Sequence, residues 1–87
     1  MRVRVLIPRV LRRYSGGEGD VAVDGATVGE ALRDLIRVHP DLEIRVFNDR
    51  GDVHAHLLLF RNDEQVDAQA QLGADDVLEI VGAAEGG

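Results

Sequence analysis

Thr27-Val28-Gly29-Glu30-Ala31-Leu32-Arg33-Asp34-Leu35-Ile36-Arg37-Val38-His39-Pro40 is the segment on which the fold turns. Val28, Ala31, Leu32, Leu35 and Ile36 recur at i, i+3, i+4, i+7 and i+8, which is one apolar stripe on a helix. Glu30, Arg33, Asp34 and Arg37 fall largely on the opposite side. Thr27 and Glu30 have capping-box spacing: the Thr27 hydroxyl accepts from the Glu30 amide while the Glu30 carboxylate reaches back to the Thr27 amide. Pro40 disfavours helical geometry at His39 and removes a donor, so the helix ends near there.

Upstream, residues 2–10 read Arg-Val-Arg-Val-Leu-Ile-Pro-Arg-Val. Val3, Val5 and Ile7 alternate with Arg2 and Arg4, the period of a half-buried strand, and Pro8 weakens pairing because it has no amide to donate. Ser15-Gly16-Gly17 supplies a turn, and residues 20–23 form a second strand, most simply paired with the first as a hairpin. Asp24-Gly25-Ala26 separates that strand from the helix.

Downstream, residues 42–47 fit either a short strand or an irregular connection, and Asn48-Asp49-Arg50-Gly51-Asp52 is a loop. Residues 56–61 form a strand dominated by Leu57, Leu58, Leu59 and Phe60. Asn62-Asp63-Glu64 makes a polar turn, residues 65–67 return as a short partner, and Asp75-Asp76 precedes a last strand at 77–81. One helix covers one face of a four- or five-stranded mixed sheet, so the chain is an α+β two-layer sandwich. Alternation then places Leu57 and Leu59 inward and Leu58 and Phe60 on the uncovered face, with Arg61 in solvent. Leu58 and Phe60 are a candidate partner surface; strand twist or a loop covering them is the equally weighted alternative.

Eighty-seven residues, 45% hydrophobic and 30% charged, amount to one small domain with a modest core. Ten basic residues against sixteen acidic ones give a net charge of −6, with no cluster able to neutralise several phosphates, so nucleic acid is excluded as the expected partner. No apolar run approaches the ~20 residues of a membrane span, and Met1 leads straight into an alternating strand. The expectation is a cytoplasmic protein without a membrane partner. There is no Cys, which removes disulfides, thiolate metal sites and cysteine nucleophiles, and all ten basic residues are Arg.

The chain closes Val81-Gly82-Ala83-Ala84-Glu85-Gly86-Gly87. Residues 1–81 are thus expected to form the domain and 82–87 a flexible tail. Hairpin, helix and further strands, the last feeding a diglycine, fit a β-grasp (ubiquitin-like) fold. The chain resembles the ubiquitin-like sulfur carrier family, which includes the thiamin and molybdopterin sulfur carriers. It is most similar to the actinobacterial cysteine-biosynthetic branch. Ile7-Pro8 followed by Leu11-Arg12, Gly16-Gly17, Thr27 with Gly29, Asp34-Leu35, Asn62-Asp63-Glu64 and Gly86-Gly87 bear the resemblance. Two departures stand out: Ala74-Asp75-Asp76, where a Gly-Asp pair is usual, and Glu85, where a small residue is usual.

The resemblance implies a non-enzymatic carrier whose Gly87 carboxylate is adenylated by an E1-like adenylating/sulfurtransferase enzyme and converted to a thiocarboxylate. Gly86, Glu85 and Ala84 would be the residues of the tail that the enzyme recognises. No cofactor is bound; ATP is used by the activating enzyme. The other implied partners are a sulfur-accepting synthase and a JAMM-type peptidase, with cysteine-type or secondary-metabolite delivery favoured over molybdopterin or thiamin. Chemistry gives independent support. A carboxylate is a poor acyl donor; attack on the α-phosphorus of ATP supplies a leaving group that a persulfide or sulfide can displace. Glycines without Cβ atoms pass a narrow channel, and a tail of this length reaches at most about 20 Å. Without Cys, the chain cannot hold sulfur as its own persulfide; without Lys, it cannot trap its own activated end. A compositional bias towards Arg is the plainer reading of both absences.

Other groupings are weaker. His54-Ala55-His56 could place two imidazoles on one strand face for a metal such as zinc, but two histidines entering a strand is the preferred reading, and no metal site is assigned. Asp75-Asp76 reads as a turn rather than an acid–base pair, and Arg9, Arg12 and Arg13 as a solvated face rather than a steering patch. Two further functions stay open: a protein modifier joined through Gly87 to lysines of other proteins, and a β-grasp interaction domain without tail chemistry.

Overall fold

A computed structural model describes residues 2–82; residues 1 and 83–87 lie outside it. The strands are β1 (Arg2–Leu6), β2 (Asp20–Asp24), β3 (Leu57–Arg61), β4 (Glu64–Val66) and β5 (Val77–Gly82). They form one five-stranded sheet in the order β2-β1-β5-β3-β4. β1 and β5 pair in parallel and every other neighbour is antiparallel. The long helix α1 (Val28–Val38) supplies the crossover and packs on one face. This is the expected β-grasp architecture.

The core is the meeting of two periods. Val3, Val5, Val21, Val23, Leu57, Leu59, Leu78 and Ile80 project from alternate strand positions against Val28, Ala31, Leu32 and Leu35 of α1, all buried. Each fully buried leucine contributes roughly 1.5–3 kcal/mol. Gly25 lets strand β2 turn into α1, because a Cβ there would stand 2.4 Å from the Ala31 amide nitrogen.

The helix start differs from expectation in one bond. Thr27 Oγ1 accepts from the Glu30 amide at 3.2 Å, but the Glu30 carboxylate accepts from the Ala26 amide, at 2.9 Å, rather than from Thr27. The cap still satisfies amides the helix leaves free, one position earlier than the standard box. At the other end the His39 amide closes on Leu35 O before Pro40, as expected.

Three expectations are corrected. β1 stops at Leu6, not residue 10: after Pro8 the chain winds into a 3-10 helix, Arg9–Tyr14, burying Leu11. Residues 42–47 are neither the short strand nor the irregular connection that the sequence allowed. A 3-10 turn (Pro40–Leu42) runs into the short helix α2 (Glu43–Val46), because Leu42 and Val46, one turn apart, are both buried while Ile44 faces solvent. Arg61 is not free in solvent. It pairs with Leu78, so it shares the parity of the core face, and its guanidinium donates to Gln71 O at 2.7 Å and to Glu64 Oε1 at 2.8 Å.

The loops follow their turn chemistry. Gly16 and Gly17 take φ of +65° and +87°, which side chains rarely adopt. Asn62 and Asp63, both at positive φ, close the β3–β4 hairpin, as such residues do in tight primed turns. Among the described residues no helix is long and apolar enough to cross a membrane.

Candidate functional site

The residues assigned to the chemistry itself, Gly87, Gly86, Glu85 and Ala84, lie outside the described residues. What the structure places is the point from which they depart. β5 is the central strand, held by β1 on one side and β3 on the other. Its last residue, Gly82, was expected to begin the tail, yet it pairs with Leu57 at the end of the antiparallel ladder. The described chain therefore ends on the central strand of the sheet.

On the sheet face away from α1, Leu58 stands opposite Val81 and Phe60 opposite Glu79. Both Leu58 and Phe60 are half-buried, whereas Leu57 and Leu59 are buried, so the inward and outward assignment of this strand holds. Leu6, Phe60, Val77 and Glu79 line one shallow cleft with Asn62 and Asp63. Leu58 and Phe60 are thus on one apolar strip that ends beside Gly82.

The turn before β5 is structural. Asp76 accepts from the Gly73 amide at 2.7 Å and from Asn62 Nδ2 at 2.9 Å, while Asn62 Oδ1 accepts from the Val77 amide at 3.0 Å. Those donors, the Gly73 amide first, hold the Asp76 carboxyl below its usual range. Asp75 takes φ of +70°, a left-handed conformation that favours glycine.

His54 and His56 do lie together, with ring centroids 5.0 Å apart, but His54 Nε2 is bound to Ile44 O at 2.9 Å. Among the described residues no three His, Cys, Asp or Glu side chains are grouped as metal ligands. Arg12 of the basic cluster is tied down, its Nε donating to Ile7 O at 2.9 Å. Sequence reading missed a second surface at the exit: Val10, Ile44 and Arg45 gather with His54, His56 and Gly82 around one cleft. They come from four separate segments, and only the helical turn at 43–46 brings Ile44 and Arg45 to it.

Comparison with known proteins fits this geometry. The model of the ThiS family matches residues 5–87. Small archaeal modifier protein 1 of Haloferax volcanii is 43% identical over 68 residues, covering 77% of this chain and 78% of that protein. Sulfur carrier protein CysO of Mycobacterium tuberculosis is 32% identical over 68 residues, covering 76% and 73%. In three dimensions the crystal structure of SAMP1 from Haloferax volcanii superposes with a TM-score of 0.91 at 33% identity, covering all of both chains. A chain of the Amycolatopsis orientalis BexX/CysO complex superposes with a TM-score of 0.88 at 34% identity, covering 98% of this chain and 99% of that one. The chain belongs to the ThiS family of ubiquitin-like sulfur carriers.

Proposed function

We propose that the chain carries sulfur as a thiocarboxylate on Gly87. One observation supports this reading above the others: the family match runs through Gly86-Gly87, and the strand that leads to them is the central strand of the sheet. The folded body acts as a handle, and the chain is a substrate rather than a catalyst. A Gly87 carboxylate oxygen attacks the α-phosphorus of ATP bound by an E1-like activating enzyme, and pyrophosphate leaves. Sulfide then adds to the acyl carbon and AMP departs, leaving the thiocarboxylate for a sulfur-accepting synthase. The similarity to CysO favours cysteine-type or secondary-metabolite delivery.

Docking of the globule must offset the ordering of the tail, roughly 1–2 kcal/mol of backbone entropy per residue. The strip bearing Leu58 and Phe60 is the contact surface this reading assigns. The test is intact mass after incubation with ATP, sulfide and activating enzymes from the same genome. A gain equal to replacing one oxygen by sulfur, mapped to the peptide ending in Gly87, is the expected result. No gain with an enzyme that loads another carrier from that genome refutes it.

A second reading is favoured by the 43% identity to a small archaeal modifier protein: the same activated end joined to lysines of other proteins. Lacking Lys, the chain would form such links only with other proteins or with amino termini. Gly-Gly remnants on lysines after digestion of cell extract with a glutamate-specific protease, which cuts after Glu85, distinguish it from the carrier.

A further inference from the structure

Val10 and Ile44 are 52% and 72% exposed, and with Val38 they are the large apolar side chains left most open to solvent among the described residues. They are far apart in sequence, yet both line a single cleft of about 470 Å³ whose wall includes Gly82. Single exposed apolar residues are ordinary; two of the most exposed gathered in one concavity are not.

The charge on the Val10 side of this cleft runs against that of the molecule; on the Ile44 side a neighbouring cleft holds Glu43, paired with Arg33, and Asp49. The remaining polar lining of the cleft shared by Val10 and Ile44 is Arg45, His54 and His56, with no carboxylate, in a chain of net charge −6. Arg2, Arg4, Arg33, Arg37 and Arg61 are all ion-paired within the fold. Among the described residues Arg45 has no such pairing; its guanidinium is held 4.6 Å over the Tyr14 ring instead. The adjoining cleft, which also contains Val10 and Gly82, adds Arg9 and Arg12 against one carboxylate, Glu79. Arg9, Arg12 and Arg45 have no ion pair among the described residues. Left as they are, they repel one another and attract anions.

We propose that this cleft docks the activating enzyme through a patch with an apolar centre and an acidic rim beside the channel that receives the tail. The assignment rests on the carrier reading above and names the chemistry of its partner. Charge complementarity selects carboxylates, Val10 and Ile44 select an apolar centre, and continuity with Gly82 places both at the root of the threaded segment. The cleft also meets the Leu58 strip at the end of β5, since Leu58–Val81 and Leu57–Gly82 are successive pairs.

The experiment measures the dissociation constant of the full chain for its activating enzyme across a salt series, beside thiocarboxylate yield at saturating enzyme. Val10→Ser with Ile44→Ser should weaken binding by about tenfold or more with little change in Tm, since both side chains are exposed. Arg9→Glu with Arg45→Glu should weaken it and flatten the salt dependence. Yield at saturation should persist in both, because Gly87 is untouched. Wild-type affinity in both variants overturns the docking proposal while leaving the carrier reading intact. Wild-type chain that never becomes loaded overturns the carrier reading, and this proposal with it. Tighter binding on charge reversal would assign the cleft to this chain's own acidic tail, and a dimer dissolved by Ile44→Ser at unchanged enzyme affinity would assign it to a second copy. Either result overturns the proposal.

Discussion

Gly82 stands opposite Leu57 at the end of the β3–β5 ladder, one pair beyond Leu58 and Val81. Gly82 thus lies between a buried leucine on one side of the sheet and a half-buried strip on the other. A partner that binds at Gly82 meets the half-buried strip, while Leu57 belongs to the core.

The open strip is testable apart from the core. Leu58→Ser with Phe60→Ser should weaken activating-enzyme binding more than it lowers Tm, because both side chains are only half-buried. Leu57→Ala is the contrasting variant. It should cost about 2–4 kcal/mol by opening a cavity, read as a falling denaturation midpoint.

Asp75 sits at φ +70°, where glycine has no steric penalty. Asp75→Gly should therefore raise stability by up to about 1 kcal/mol, measured by urea unfolding. An unchanged or lower midpoint would mean that the turn tolerates aspartate without strain.

Thr27 caps α1, the element that covers the core face. Thr27→Ala leaves the Glu30 amide without its acceptor and should cost about 1 kcal/mol, whereas Thr27→Ser should cost little. The comparison is made by thermal unfolding at one pH.

Among the described residues three carboxyls are held below the ordinary value of 3.8: Asp20 by the Arg4 guanidinium, Asp34 by Arg37 and the Asp24 amide, and Asp76 by the Gly73 amide and Asn62. Each is protonated less readily folded than unfolded, so its stabilisation is complete above the unfolded value and fades as pH falls through the folded one. The denaturation midpoint should hold from neutral pH to about 5 and drop below about 4. Asp76→Asn should lower stability at neutral pH and make the acid limb shallower.

Much of this was legible in the sequence because local chemistry and the fold agree. The Val28–Ile36 stripe, the Thr27 cap, Pro40, and the Asn62-Asp63 turn each have one physical solution, and each is found. Misreadings came where tertiary burial decided. Leu42, Ile44 and Val46 fit a strand's alternation, but burying Leu42 and Val46 one helical turn apart fills the core and leaves Ile44 outside. Pro8 ends the alternation of β1, and Arg9 and Val10 already reverse its parity. The outward direction of Leu58 and Phe60 was readable from the Leu57–Phe60 run, but not that both would be half-buried rather than exposed. The exit cleft was not readable, because its cations and apolar side chains meet only when the Arg9–Tyr14 helix, α2 and the end of β5 are brought together.

The central claim is that the Gly87 carboxyl group is the atom set that reacts. It is tested most directly by intact-mass measurement of the native chain and of a variant with one alanine added after Gly87, each incubated with ATP, sulfide and the activating enzyme. Exchange of one oxygen for sulfur in the native chain, and none in the extended one, is the predicted result. Equal sulfur uptake by the extended chain would contradict it.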